Sequence, residues 1–551
     1  MLTKKITSTL LLWALALSVH AQDSLLLRNY QFVKQYDPWL TSSNGAALTR
    51  YQAKNIAEAE MVLNKGNGGL VDFWQSDNTL QAGAGIESFY RLNKRAVVYG
   101  AISYDNRTGK GMTGSAFMHL PSQLSTIQYP STKRYPFDIV EDSLTNPGRK
   151  HTDVYSLTGG VGFNVWKGKG YSLGAKVSYT AANYAKYKDL RHKNKLMELS
   201  VSLGAYAPVT KWLNLGANYT YYRQTESVDF GTYGKSDKTY KSLIDYGAFM
   251  GIVEQFGNEG YTDKAREMPL FEDSHGAALQ VEILPCEQFS LMGSIGLSRG
   301  DGYYGRKSPF TATYTRHQRD INQSSLTLIY QPSSPQSRHR LDLSYTNEKL
   351  ANKANTFREL TNENSATYYE YYDAVETGDK QWDDLDIAYT LLLGIQGELP
   401  TWELNAQYHY AERKQASYLY PYYRHQQLST NKVALQGTFN KLCNRGVWSF
   451  TLQSAWQNGS GTPYEDFTFA TPSTLQESPA TMEAFLYREY QYLTASQYQL
   501  GATVKYAFIM PGTRMKLHAK ISGDYHKATK TYVYSTGNHH LSTAIAIGCT
   551  F

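Results

Sequence analysis

The sequence is dominated by stretches in which apolar and polar residues alternate one for one over about ten positions. In 171–180 (YSLGAKVSYT), Tyr171, Leu173, Ala175, Val177 and Tyr179 fall on one face. Ser172, Gly174, Lys176, Ser178 and Thr180 fall on the other. Segments 212–222, 385–399, 402–410 and 515–525 repeat the pattern. In the last of these, Met515, Leu517, Ala519 and Ile521 oppose Lys516, His518, Lys520 and Ser522. A period of two marks a β-strand with unlike faces. A soluble sandwich uses strands of about five or six residues, whereas about ten are needed to cross the hydrocarbon of a bilayer. The polar faces carry Lys, His, Gln and Glu, as a wet interior allows.

Composition narrows the fold further. The 551 residues include 46 Tyr, 20 Phe, 9 Trp and 43 Gly. Disordered chains lack such aromatic content. No apolar run reaches the ~18 residues of a membrane-spanning helix. The net charge of +7 is spread without a basic block, which argues against a nucleic-acid partner. Three cysteines, Cys286, Cys443 and Cys549, leave at least one unpaired, so no disulfide framework is expected. No Cys/His spacing points to a structural zinc.

Turn-forming residues give the topology. Short turns are expected at 93–94, 167–170, 208–211, 285–287, 332–337, near Pro400, 443–446 and 511–512. Longer connections alternate with them: 65–79, 107–151, 186–194, 226–273, 300–321, 349–383, 414–430, 458–489 and 527–537. Short periplasmic turns and long extracellular loops are the outer-membrane pattern. The expectation is therefore an all-β fold, a transmembrane antiparallel up-and-down β-barrel over 55–551. It should have about 18 strands, within bounds of about 14 and 22. Trp166, Trp212, Trp402 and Trp448 lie beside the short turns; Tyr104, Tyr345, Tyr410 and Tyr525 lie toward the long loops. Two headgroup girdles would require that distribution.

The two ends carry their own signals. Lys4 and Lys5, the apolar stretch from Leu10 to Val19 and the Val19-His20-Ala21 end form a signal peptide over 1–21, cleaved near Ala21. No Cys follows the cut, so no lipid anchor is expected there. Residues 22–54 form an N-terminal segment whose Leu25, Leu26, Leu27, Phe32, Trp39 and Leu40 need cover. A barrel this wide is not filled by its wall side chains, so this segment is read as a plug, with 107–151 as the alternative constriction. At the other end, LSTAIAIGCTF alternates Leu541, Thr543, Ile545, Ile547 and Cys549 with small residues and stops at Phe551. This resembles the closing strand of Gram-negative outer-membrane β-barrel proteins, and the likeness covers roughly 56–551. The resemblance implies an outer-membrane location, a lipid surround, and Phe551 as a signal read by the barrel-assembly machinery. The layout is similar to bacteroidete outer-membrane barrels of unassigned function. A weaker likeness is to long-chain fatty-acid channels, whose N-terminal Asn-Pro-Ala element is matched by Ser43-Asn44-Gly45-Ala46 without the Pro. Segment 22–54 is too short for the folded plug of a TonB-dependent transporter.

Candidate binding residues are the loop tyrosines Tyr368, Tyr369, Tyr371 and Tyr372, then Tyr418, Tyr420, Tyr422 and Tyr423, with Tyr487, Tyr490 and Tyr492 as a third group. Tyrosine gives rigid, amphipathic area for a ligand or partner, but such rings also pack loops together. Lys176, Lys516, Lys520, His518 and His409 are expected to face the lumen. Free lysines there favour anionic solutes; lysines paired with Asp386, Glu398 or Glu403 do not. His526, His539 and His540 flank one long-side loop and are metal or haem-iron candidates without a fixed ligand spacing. No motif selects a nucleophile, so neither enzymatic activity nor a cofactor is expected. The expected function is passage or uptake of a small solute, alone or beside an outer-membrane transporter or surface lipoprotein. The competing reading is a non-conducting structural or docking barrel whose Tyr-rich loops meet a protein or glycan.

Overall fold

The alternating stretches join into a single closed wall. The computed structural model describes residues 23–112, 114–118, 134–141, 147–166, 169–189, 191–231, 240–256, 268–308, 310–333 and 336–551. The expected signal peptide and the centre of 107–151 lie outside the described residues. The barrel strands are β1 (Ile56–Asn67), β2 (Asn78–Arg91), β3 (Ala96–Met112), β4 (Gly148–Asn164), β5 (Ser172–Lys186) and β6 (Arg191–Pro208). They continue as β7 (Leu213–Gly231), β8 (Met268–Cys286), β9 (Phe289–Ser308), β10 (Thr311–Tyr330), β11 (Ser337–Ala354) and β12 (Val375–Leu393). The last six are β13 (Trp402–Leu419), β14 (Tyr422–Cys443), β15 (Gly446–Thr468), β16 (Gln497–Ile509), β17 (Lys516–Ala528) and β18 (His539–Thr550). Each pairs antiparallel with the next in one 18-stranded sheet, and β18 pairs with β1 from Glu58↔Thr550 to Asn67↔Leu541. Closure leaves the wall without an edge, the condition for a sheet to stand in lipid.

Alternation then sorts the side chains. Leu173, Val177 and Tyr179 are exposed on the outer wall, while Ser172 is buried inside it. Trp166, Trp212, Trp402 and Trp448 are all exposed beside short turns, and Tyr345 and Tyr525 are exposed toward the opposite rim. The eight short turns fall where the turn residues placed them. Two long connections do not. Segments 300–321 and 414–430 are ladder rather than loop: β9 pairs with β10 out to Ser308↔Thr311, and β13 with β14 out to Leu419↔Tyr422. These strands reach 18 to 22 residues, well beyond the ~10 that cross a bilayer. Above the membrane both faces meet water or other loops, so the apolar alternation stops while the pairing continues.

The connections after β1, β3, β7 and β15 fold inward. A five-stranded sheet orders Ala480–Thr481, Met250–Phe256, Tyr240–Gly247, Asp138–Glu141 and Gly114–Ser115 side by side, drawing on three separate connections. The N-terminal segment forms α1 (Asp23–Leu26), α2 (Tyr30–Tyr36), α3 (Pro38–Thr41) and a 3-10 turn (Gly45–Arg50). Asn29 and Asp37 accept the first free backbone N–H groups of α2 and α3. A longer helix, α4 (Glu483–Thr494), lies between β15 and β16.

A charge on the outer wall tests the assignment of faces. Leu452 is 69% exposed on β15, and Leu452→Arg is expected to destabilise the folded barrel in lipid by ~2–4 kcal/mol. Leu475→Arg, at a 93% exposed position in the β15–β16 connection, should leave the urea midpoint in vesicles unchanged. Equal midpoints for the two variants would contradict the assignment.

Candidate functional site

The N-terminal segment lies across the lumen at the short-turn end, tied to inward residues beside all eight short turns. Leu26 packs on Leu399 and Val447. The Glu398 carboxylate accepts the Asn29 N–H at 2.9 Å. Lys516 donates to the Leu26 carbonyl at 3.4 Å and to the Arg28 carbonyl. Arg338 donates to the Tyr36 carbonyl and lies 4.0 Å over the Tyr36 ring. Thr49 and Ser172 share a hydrogen bond of 2.8 Å, and Arg91 donates to the Tyr51 carbonyl. Gly45 lies so close to the wall that a Cβ there would come within 2.6 Å of the Ala175 backbone.

Glu282 on β8 is the central anchor. Its side chain is 2% exposed. It accepts from Trp39 Nε1 at 3.0 Å, Asn214 Nδ2 at 2.7 Å and Ser290 Oγ at 3.0 Å, and pairs with Arg50 Nη1 at 3.0 Å. Arg50 also binds Asp37 at 2.6 Å and the Tyr206 hydroxyl at 2.9 Å. Burial pushes the Asp37 carboxyl up despite the Arg50 guanidinium, which pulls the other way. Asn44 is buried as well, donating to Gln280 at 3.1 Å and to the Ala205 carbonyl at 2.9 Å.

The five-stranded sheet and α4 close the other end. One apolar cluster joins Phe117, Tyr135, Phe137, Ile139 and Ile244 to Val228, Leu270 and Tyr304 of the wall. A second joins Phe73, Val140, Leu243, Phe249, Phe485 and Leu486. Ala248 and Phe249 turn the central hairpin with φ of 50° and 54°, a left-handed conformation that costs of order 1–3 kcal/mol per residue. Surrounding contacts hold the turn: Arg424 of β14 donates to the Ala248 carbonyl at 3.0 Å, and Phe249 meets Phe73 edge-on at 5.0 Å. Ser417 donates to the Met250 carbonyl at 3.1 Å, and Lys380 to the Tyr135 carbonyl at 3.2 Å.

Under this outer closure the lumen holds a cavity of about 960 Å³. Its roof includes Phe73, Trp74, Arg134, Tyr135, Phe249 and Tyr492. Its walls include Trp382, His409, Gln436 and Gln453. The N-terminal segment contributes no lining residue. The acids of the wall are largely neutralised. Arg134 bridges Glu348 at 3.0 Å and Asp384 at 2.5 Å, Arg319 binds Glu272 at 3.0 Å, His409 binds Asp386 at 2.6 Å, and Arg413 binds Glu489 at 2.6 Å.

Residues 45–551 match the model of a family of unknown function, DUF6850. The chain belongs to that family. No curated protein matches it. Among solved structures it is similar to the outer membrane transporter YddB from Escherichia coli, with 7% identity, a TM-score of 0.39, and coverage of 91% of this chain and 81% of that one. The ferric preacinetobactin receptor BauA from Acinetobacter baumannii gives 6% identity, a TM-score of 0.35, and 89% and 80% coverage. The TodX monoaromatic hydrocarbon channel, as a deletion mutant, gives 9% identity, a TM-score of 0.30, and 92% coverage of both chains. At such identities nothing about ligand or partner carries over to this DUF6850 chain.

The residues singled out in the sequence fall into three groups. Lys176, Lys516, His518, Lys520 and His409 all point inward, but each is engaged. Lys176 donates to the Ser42 carbonyl at 3.2 Å, and His518 and Lys520 bind Glu60 at 3.1 and 2.8 Å. The partners expected from sequence differ: Glu398 binds the N-terminal segment instead.

The tyrosines form no common site. Tyr369 and Tyr371 pack on Phe357 within the hairpin Phe357–Thr361 and Thr367–Tyr371, while Tyr368 and Tyr372 face outward. Tyr418 and Tyr423 oppose each other across the β13–β14 ladder, and Tyr423 stacks on Phe469 at 4.3 Å. Tyr420 is exposed at that turn, and Tyr422 opposes Leu419 in the ladder. This group therefore stands on strands, not in a loop. Tyr487, Tyr490 and Tyr492 belong to α4 rather than to a loop.

His526 and His540 are cross-strand partners, whereas His539, one residue earlier on the same strand, takes the opposite face. Alternation thus prevents the three imidazoles from converging, and the described residues hold no cluster fit for a metal ion. The sequence reading missed Glu282 and Arg50, whose meeting depends on a separation of more than two hundred residues.

Loss of the anchor should free the segment. Glu282→Ala leaves Arg50 and the Trp39 and Asn214 N–H groups without their acceptor, and is expected to cost about 3–5 kcal/mol of local stability. Limited proteolysis should then cut within 23–54 while the barrel core stays protected; a segment as resistant as the parent's would contradict the anchor. The outer closure carries a pH dependence. Burial, with Glu489 adding to it, pushes the Asp72 carboxyl up to about 7, and burial against Lys380 does the same to Asp245. A carboxyl raised in the folded state stabilises it at low pH and loses that contribution as pH rises through the raised value. Protease cleavage within 240–256 should therefore accelerate from about pH 5 to about pH 8, and Asp245→Asn should flatten the trend. Equal protection at both values would contradict the assignment.

Proposed function

We propose that this DUF6850 chain is an uptake channel of the outer membrane that rests in a shut state, with the N-terminal segment as its periplasmic plug and the luminal cavity as the station a solute occupies in transit. The observation that carries this reading is the seating of residues 26–50 on inward groups beside all eight short turns. A filler with only a structural role has no need of so many polar ties, whereas a plug held by ion pairs and hydrogen bonds can be withdrawn without unmaking the wall. The cavity supplies what a transit station needs, a partly enclosed space lined by paired charges and amides. In the same reading Phe551, whose backbone exchanges hydrogen bonds of 2.8 and 2.9 Å with Ala57 at the seam, serves assembly rather than transport.

Planar-bilayer recording tests the plug. Deleting 23–42 should raise single-channel conductance at least several-fold over the parent, with heat-modifiable mobility confirming a folded barrel. A folded deletion that conducts no better than the parent would overturn the plug assignment and favour the docking-barrel reading.

A further inference from the structure

The wall of the luminal cavity has a composition that selects among solutes. Across β13, β14 and β15 the inward residues Asn405, Gln436 and Gln453 stand opposite one another in a single row. Gln407, Gln457 and Gln499 line the same space around that row. Asn405 donates to Thr390 at 2.8 Å, Gln457 to the Leu493 carbonyl at 3.4 Å, and Gln453 to Asp524. Even so engaged, each retains a carbonyl oxygen able to accept. Among the described residues, no hydrogen bond engages the side-chain amides of Gln407 and Gln436. Aromatic rings line the same space: Trp74, Tyr135, Tyr222 and Trp382. Arg134 sits 5.0 Å over the Trp382 ring and is already bound to Glu348 and Asp384.

Three classes of occupant can be weighed against this wall. A hydrocarbon would bury a field of amides without partners, at about 1–3 kcal/mol for each unsatisfied group. A multiply charged solute needs counter-charges that are free; Glu272, Glu348, Asp384, Asp386 and Glu489 are each held by a base of the wall or roof, and Asp72 and Asp245 are buried and accept backbone N–H groups of Phe73 and Gly247. Two lining lysines have no ion-pair partner among the described residues: Lys380, which donates to the Tyr135 carbonyl, and Lys432, cross-strand from His409. A neutral molecule rich in hydroxyl groups fits all three observations. Each hydroxyl both donates and accepts, as a carboxamide does. The apolar C–H faces of a pyranose ring cover aromatic rings, and the Lys432 ammonium accommodates an ether or hydroxyl oxygen. At about 960 Å³, the cavity lies at the upper end of the ~300–1,000 Å³ range of ligand sites, enough for an oligosaccharide.

We propose that the luminal cavity takes a neutral oligosaccharide, with the amide row of β13–β15 reading its hydroxyls and Trp382 and Trp74 covering its ring faces. The proposal rests on the uptake reading above and names its substrate class.

Equilibrium dialysis of the purified full chain in detergent, continued until uptake of the probe stops, decides it. The probes are maltotriose, raffinose and cellotriose, with trilysine and oleate as charged and apolar counterparts. At least one of the three trisaccharides should bind saturably, and neither trilysine nor oleate should compete. The pair Gln407→Leu and Gln436→Leu should weaken that binding by roughly a hundred-fold, about ten-fold for each lost amide. Gln427→Leu, an amide exposed above the membrane, should leave it unchanged, and heat-modifiable mobility confirms that each variant is folded. Absence of binding by all three sugars, preferential binding of trilysine or oleate, or unchanged affinity in the double variant would overturn the proposal. The uptake reading fails separately. A chain that binds none of the sugars, yet conducts once 23–42 is removed, keeps the channel and loses the substrate class. A chain that binds a sugar, but gains no conductance on that deletion, keeps the site and loses the route.

Discussion

Every backbone N–H and C=O that meets hydrocarbon must find its partner inside the wall, because lipid offers none. The pairing of β18 with β1 meets that demand, and the rest of the structure follows from it. Eighteen strands joined in a ring enclose a space too wide for wall side chains to fill. The wall can satisfy its backbone only by creating an interior that needs something else to occupy it.

The chain fills that interior twice, by different means. At the short-turn end the filler is local in sequence, the helical run just before β1, held by polar ties to fixed wall residues such as Glu282 and Arg338. At the far end it is assembled from distant parts, a five-stranded sheet drawn from three connections and packed through Phe73, Phe249 and Phe485. The two closures therefore differ in how they yield. The first, read as the proposed plug, would come away as one segment once its ion pairs break. The second must break an apolar core, strained at Ala248 and Phe249 and partly governed by the protonation of Asp72 and Asp245. The cavity belongs to the outer closure and the wall, and the N-terminal segment contributes none of its lining.

The wall was legible in the sequence because its rule is strict. A strand between lipid and water must alternate, so Tyr171 to Thr180 declares both of its faces, and turn residues such as Pro208 and Gly512 mark where strands end. The N-terminal segment was legible through Trp39 and Leu40, apolar residues with no strand to belong to, and both are buried. The extensions of β9, β10, β13 and β14 were not. Above the membrane their outer faces meet water and neighbouring loops, and the alternation that identifies a strand fades although the hydrogen bonds continue. The five-stranded sheet was invisible for another reason. Its strands are as short as Gly114–Ser115, and their pairing depends on contacts across hundreds of residues. Nothing in the local sequence sets Glu282 or Gln436 apart. Only the arrangement of the fold makes one an anchor and sets the other in the cavity wall.

The central claim, a cavity shut off from both sides and opened from the short-turn side, is tested most directly by chemical access to the cavity wall. With Cys286, Cys443 and Cys549 replaced by Ser, a single Gln436→Cys can be challenged with a membrane-impermeant maleimide added to either face of oriented proteoliposomes. The full chain should label only slowly from either face, and the 23–42 deletion should label rapidly from the short-turn face alone. Rapid labelling of the full chain from either face, or a deletion that stays as protected as the full chain, would contradict the account.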